Sequence, residues 1–173
     1  TFNANENQTT IGTVAASDAD GETLSYSISG TDASSMSVDS SSGALTFGAA
    51  PDYETKTSYS VTATATDGTN SINQSVTINV TNLNDNSPVF TSSTTFSVNE
   101  NQTTVGTVAA SDADGNTLSY SISGTDAPSM SINSSTGALM FNSVPDYETK
   151  PSYSLIAAAS DGSNSTTQNI TVS

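Results

Sequence analysis

The chain has no cysteine, histidine, tryptophan or arginine. Those absences exclude thiol chemistry, histidine-based proton transfer, Ser-His-Asp triads, soft-metal sites and disulfide staples. Positive charge is nearly missing as well. Seventeen Asp and Glu face two Lys, for a net charge of −15, so nucleic acid and anionic lipid are poor partners and cations are favoured ones. No run approaches the roughly 20 apolar residues that span a bilayer. The first residues do not read as a signal peptide, and the chain is expected to be a soluble piece without membrane insertion. Absence of cysteine by itself leaves the compartment open.

What is present is a duplication. "NENQTTIGTVAASDADGETLSYSISGTDASSMS" from Asn5 returns as "NENQTTVGTVAASDADGNTLSYSISGTDAPSMS" from Asn99, and roughly 70 % of aligned positions are identical. The repeat is too long for a solenoid and suits one small domain per unit. Two domains are expected, 1–84 and 85–173, joined by a linker at about 82–88. Within each unit apolar residues alternate in short runs between turn clusters, the pattern of half-buried antiparallel strands. Leu24, Tyr26 and Ile28 share a face, as do Tyr59, Val61, Ala63 and Ala65, and then Ile72, Val76, Ile78 and Val80. Met36 and Val38 precede a Ser-Ser-Ser-Gly turn, and Leu45 and Phe47 follow it. With a strand near Phe2 and another through Val14 and Ala16, about seven strands per unit predict an all-β chain of two tandem Greek-key sandwiches. No segment reads as a helix. The cores are thin, so a bound metal would add appreciably to a small net stability.

With strands A to G alternating in direction, the B–C and F–G loops share one pole of each unit, here the upper. The A–B and E–F loops and the end of G share the lower pole. "SDADG" (Asp18, Asp20; Asp112, Asp114) and "DG" (Asp67; Asp161) fall at the upper pole. "NEN" (Glu6; Glu100) and "PDYE" (Asp52, Glu54; Asp146, Glu148) fall at the lower. Stacking the units end to end across "NLNDNSP" gathers Glu6, Asp52, Glu54, Asp85, Asp112, Asp114 and Asp161. Seven like charges so close require cations. Carboxylate, Asn and carbonyl oxygens on irregular loops suit Ca²⁺ better than Zn²⁺, copper or Mg²⁺.

Taken singly, "DADG" reads as a solvated turn and "DG" as a plain hairpin, and "DADG" fails as an EF-hand loop for want of a third Asp and a Glu at position 12. Taken together, in this order and twice over, the motifs "NEN", "DAD", "PDYE", "ATDG"/"ASDG" and "NLNDNSP" resemble the extracellular cadherin repeat, over essentially the whole chain. The resemblance implies up to three Ca²⁺ at the central junction. The outermost would be held by Glu6, Asp52, Glu54, the Leu83 carbonyl and Asp85. The middle one would take Glu6, Glu54, Asn82, Asp85 or a neighbouring carbonyl, and Asp114. The third would take the Asn84 carbonyl, the Asn86 side chain, Asp112, Asp114, Asp161 and the Asn116 carbonyl. Asn82 stands where the family has Asp, which should weaken the middle site most.

Asp18, Asp20 and Asp67 form an outer half-site at one end, and Glu100, Asp146 and Glu148 another, as in a fragment of a longer array. These six and the seven above leave only Asp32, Asp39, Glu22 and Asp126 as surface acids. The resemblance further implies a calcium-rigidified adhesion module, not an enzyme, outside the cell or at its surface. Its partners would be adjacent repeats and a homophilic, glycan or protein partner. Near-identical repeats without cysteine favour a large bacterial adhesin as the source. A carbohydrate-binding accessory module is the alternative, although the tyrosines read as core residues rather than a sugar platform.

Overall fold

Small polar residues alternate with apolar ones from Ser58 to Thr66, and in the computed structural model, which describes Thr1–Ser173, that alternation becomes a strand with one buried face. The residues divide into two compact units, Thr1–Leu83 and Asn84–Ser173. Unit 1 has seven strands: β1 (Phe2–Asn5), β2 (Thr10–Thr13), β3 (Ser25–Ser29), β4 (Met36–Val38), β5 (Ala44–Phe47), β6 (Ser58–Thr66) and β7 (Ser71–Thr81). One sheet has the order β1-β7-β6-β3 and the other β2-β5-β4. All pairings are antiparallel except β1 with β7, which closes the Greek key in parallel. The facing sides bury Met36, Leu45, Phe47, Val61, Val76 and Ile78 between the sheets. Each such side chain contributes about 1.5–3 kcal/mol.

Unit 2 repeats this plan with its first two strands broken into pieces. They are β8 (Val89–Phe90), β9 (Thr95–Phe96), β10 (Thr104–Thr107) and β11 (Ala110–Ser111). Strands β12 (Ser119–Ser123), β13 (Met130–Ile132), β14 (Ala138–Phe141), β15 (Tyr153–Ser160) and β16 (Ser165–Val172) follow. The order β12-β15-β16-β9 packs over β10-β14-β13, while β8 pairs with β11. Leu139, Leu155, Ile170 and Val108 are fully buried between the two sheets. The only helical segments are single 3₁₀ turns at Ala33–Ser35 and Ala127–Ser129.

Two details differ from the sequence pattern. The second strand of unit 1 ends at Thr13, so Val14 and Ala16 lie beyond it. A register shift between Thr10 and Gly12 spends part of the strand's length, and Val14 N–H then donates to Gly43 O at 2.9 Å. Ile72 shares the parity of Val76, Ile78 and Val80 but is 67 % exposed, because it lies at an end of β7 where a cavity opens between Val14, Ala16, Tyr26 and Ala65.

The β4–β5 and β13–β14 turns depend on glycine. Gly43 and Gly137 have φ of +72° and +70°, and a Cβ there would stand 2.2 and 2.0 Å from the Val14 and Val108 carbonyl oxygens. Only glycine satisfies both constraints.

Candidate metal centre

At the lower pole of unit 1 the A–B loop, the E–F connection and the end of β7 converge on one side chain. Glu6 is buried to 1 % exposure. Its Oε2 accepts from Tyr53 N–H at 2.8 Å and its Oε1 from Leu83 N–H at 2.7 Å. Asn7 adopts φ +62° and its N–H reaches Pro51 O at 3.0 Å, closing the two loops on each other. Beside them Asp52 folds its own turn. Its Oδ1 accepts from Glu54 and Thr55 N–H, and its Oδ2 from the Thr55 hydroxyl at 2.7 Å. The Thr55 hydroxyl chiefly, then the Thr55 and Glu54 N–H groups, hold the Asp52 carboxyl below its usual range against an opposing effect of burial. Both lysines of the chain are engaged elsewhere, Lys56 with Asp32 and Lys150 with Asp126. No basic side chain of unit 1 therefore neutralises Glu6.

The upper pole of unit 2 is built on the linker residues. Asp114 Oδ2 accepts from Asp85 N–H at 3.1 Å and Asn86 N–H at 2.9 Å, and its Oδ1 accepts from the Asn86 amide at 2.8 Å. Asn164 donates to Asn84 Oδ1, to Asn86 O and to Asp161 Oδ2. Burial pushes Asp161 up, but the Asn164 and Ser163 N–H groups and the Asn164 and Asn84 amides bring it below its usual range. Asp112 receives Asn116 N–H on Oδ1 at 3.2 Å. Its Oδ2, and the side-chain Oδ1 of Asn116, are buried without a hydrogen-bond partner. Buried oxygens left unmatched in this way need a donor or a cation. A set made only of carboxylate and amide oxygens fits a hard divalent ion. At Asn116 the buried, unpartnered atom is the side-chain oxygen, whereas the resemblance implies the carbonyl as a ligand.

The outer groups are more open. Glu100, Asp146 and Glu148 bring carboxylate oxygens within 4.8 Å of one another. Asp18 and Asp20 do the same with Glu22, an acid that the sequence pattern leaves as surface. Asp67 lines a cavity with Asp18 but turns its carboxylate onto its own loop, capping Thr69 and Asn70. Asn164 escapes the sequence pattern too; the "DGTN" and "DGSN" spacing, which places an Asn three residues after Asp in both units, is the available signal.

Two sandwiches of this topology, each with acidic loops at both poles, define the class: the chain belongs to the cadherin domain family, whose model matches residues 1–81 and 94–173. Human Protocadherin Fat 4 is 42 % identical over 163 residues, which cover 86 % of this chain and 3 % of that protein. Human Protocadherin Fat 1 is 39 % identical over 87 % of this chain and 4 % of its own length. Drosophila melanogaster Cadherin-99C is 35 % identical, with coverages of 91 % and 10 %. The chain thus spans a small part of each. Among solved structures, mouse Cadherin-23 EC22-24 superposes with a TM-score of 0.82 at 22 % identity, covering 99 % of this chain and 61 % of that one. Human Protocadherin-24 EC1-2 gives 0.78 at 24 %, covering 99 % and 91 %. At these identities the two structures speak for the fold alone. The relatives are animal proteins and lend no support to the expected bacterial source.

Proposed function

We propose that the chain is a calcium-binding tandem module of an adhesion protein, in which Ca²⁺ fixes the linker 82–88 to the domains on either side and removes the hinge. The family places it outside the cell or at its surface. No helix is long and apolar enough to cross a membrane. The observation that carries the reading is the pair of buried, unpartnered oxygens on Asp112 and Asn116, in an acidic loop that its own linker has already organised through Asp114.

In this proposal Glu6, Asp52, Glu54, Asp85 and the Leu83 carbonyl hold the outermost ion. Asn82, Asp85 and Asp114 share the middle ion with Glu6 and Glu54. Asn84, Asn86, Asp112, Asp114, Asn116 and Asp161 hold the third. Bound Ca²⁺ would supply the positive charge that a chain of net −15 lacks. The hydrogen bonds already made by Glu6, Asp52 and Asp114 orient the carboxylates and order the loops, so less conformational freedom is lost on binding. Extracellular modules of this chemistry bind calcium at about 10⁻⁴–10⁻³ M, which external calcium saturates. Partners in this reading are neighbouring repeats and a second adhesive surface.

The carbohydrate-module alternative is not favoured. It needs exposed aromatics in a row, whereas Tyr26, Tyr59, Tyr120 and Tyr153 pack against the two cores. In this reading the acids at the poles of the sandwiches are cation ligands and not a catalytic pair.

Thermal melting and small-angle scattering with calcium or chelator test the proposal. Calcium should raise the melting temperature and narrow the range of solution dimensions. Asp114→Ala should weaken two of three ions in a calorimetric titration. An unchanged melt under chelator, or an unchanged titration for the variant, refutes it.

A further inference from the structure

The chain's only two lysines occupy the same place in each unit, beside the acidic turn of the lower pole but paired with acids outside its cluster. Lys56 closes the turn begun by Asp52, its N–H donating to Asp52 O at 2.9 Å. Its side chain then leaves the turn. The ammonium group lies 4.5 Å from the centroid of the Tyr59 ring and pairs with Asp32 Oδ1. The other Asp32 oxygen accepts from Ser60 N–H at 2.8 Å, and Asp32 O accepts from Ser35 N–H across the 3₁₀ turn. Tyr59 stands edge-on to buried Phe47 at 5.0 Å. Unit 2 repeats every part. Lys150 N–H meets Asp146 O at 3.0 Å, its ammonium lies 4.7 Å from the Tyr153 ring and pairs with Asp126, Asp126 accepts from Ser154 N–H at 2.8 Å, and Phe141 meets Tyr153 at 4.8 Å. Four neighbouring positions differ: Thr57 is Pro151, Val61 is Leu155, Thr62 is Ile156 and Ser34 is Pro128.

Acid neutralisation would have put these lysines against the polar carboxylates, where the repulsion is greatest. The fold instead gives both to Asp32 and Asp126, which belong to no acidic cluster. We propose that Lys56 and Lys150 are positioning residues: each bolts its acidic turn, Asp52–Glu54 or Asp146–Glu148, to the sandwich through the Asp and Tyr partners, with its charge paired to an acid outside the ligand cluster. This rests on the calcium reading above and adds a residue to it. As an ordinary surface ion pair the contact would contribute little to stability and nothing to affinity. As a brace for ligands it should act on calcium binding, where partners behind the ligands typically matter about tenfold or more.

The two accounts predict opposite signs. By Coulomb's law alone, removing a positive charge near the lower pole tightens binding of a cation. By positioning, removing it weakens binding. Calorimetric calcium titration of the whole chain should show Lys56→Met, which keeps the stem over Tyr59, weaker by about tenfold. Asp32→Asn should shift in the same direction, and Lys56→Arg should return to within about twofold of the parent. The melting temperature in chelator should be nearly the same for all, with circular dichroism showing a folded sheet. If the parent binds calcium and Lys56→Met binds as tightly or more tightly, the positioning role is overturned alone. A parent chain that takes up no calcium overturns both readings.

Discussion

The two units carry the same loops in different settings. In unit 2 the carboxylate of Asp114 is wrapped by the N–H groups of Asp85 and Asn86 and by the Asn86 amide. In unit 1 the matching loop folds only on itself, with Asp18 Oδ1 accepting from Asp20 and Glu22 N–H. The lower poles differ in the opposite sense. Glu6 is buried and holds two backbone N–H groups below 3 Å, whereas Glu100 is exposed and meets Tyr147 N–H at 3.5 Å. A third contrast lies along the sheet edge. In unit 2, β8 pairs with Ala110–Ser111, Thr91 N–H reaches Ala109 O at 2.8 Å and Gln168 donates to Ser92 O. The same surface of unit 1 is a groove of about 430 Å³ beside Ala16, Ile72 and Gln74. All three contrasts trace to residues 83–92. In this chain Leu83 helps to complete the lower pole of unit 1, and Asp85, Asn86 and β8 complete the upper pole and edge of unit 2 before any ion is considered.

Breaking the contrast at the lower poles should give the largest effect. Glu6→Ala removes the acceptor from two backbone donors, each costing about 1–3 kcal/mol when left unmet. A loss of about 2–4 kcal/mol is expected for unit 1, against less than about 1 kcal/mol for Glu100→Ala in unit 2. Hydrogen exchange of the β6 and β15 amides, measured in calcium, separates the two. Equal losses in both would show that the shared sequence, and not the setting, decides the contribution.

The edge contrast comes next and can be attacked from both sides. Phe90 packs against the unit 2 core, and Phe90→Ala should lower protection of β15 and β16 by about 1–3 kcal/mol for a half-buried ring. Conversely, Ser-Pro-Val-Phe-Thr-Ser-Ser-Thr placed ahead of Thr1 reproduces residues 87–94 in register with unit 1. It should raise β6 protection by about 1–2 kcal/mol through burial of the Pro and Phe side chains, as at Pro88 and Phe90. A graft that leaves both β6 exchange and the exposure of Ile72 unchanged would show that the groove does not accept such a strand.

Much of the fold is legible in the amino-acid sequence, and the physical reasons for that also mark the limit of what the sequence declares. Strand faces are legible because alternation has a period of two, so Tyr59, Val61, Ala63 and Ala65 declare a common side. Acids are legible because sandwich topology assigns each loop to a pole. Ile72 obeys the same parity and is still exposed, since parity names a face and not what covers it. Glu22 stays hidden because a lone acid carries no local signal, and Asn164 is marked only by its recurrence three residues after Asp in both units. The Lys56–Asp32 pair spans 24 residues and joins a connection to a 3₁₀ turn, a proximity that no spacing rule encodes.

The smallest contrast is a single atom type in the β4–β5 and β13–β14 turns. Asp39 Oδ1 caps Ser41 and Ser42 in unit 1, and Asn133 Oδ1 makes the same two bonds to Ser135 and Thr136 in unit 2. The Ser42 N–H first, then the Ser42 hydroxyl and Ser41 N–H, hold Asp39 below the usual carboxylate range. A depressed value in the folded state means that this stabilisation is complete above the unfolded value, about 3.9, and is lost as pH falls through the folded one. Asn133 has no proton to gain. The other lowered carboxyls come in matched pairs, Asp32 with Asp126, Asp52 with Asp146 and Asp67 with Asp161, so their contributions run parallel in the two units. Below about pH 4 unit 1 should therefore lose protection at the β4–β5 turn sooner than unit 2 does at β13–β14, and Asp39→Asn should remove the difference while leaving stability near neutral pH almost unchanged. Exchange rates at Ala44 and Ala138, followed from about pH 5 down to about pH 2.5, provide the measurement. An acid response at Ala44 that is the same in the parent and in Asp39→Asn would mean the cap adds nothing beyond what a neutral amide oxygen supplies.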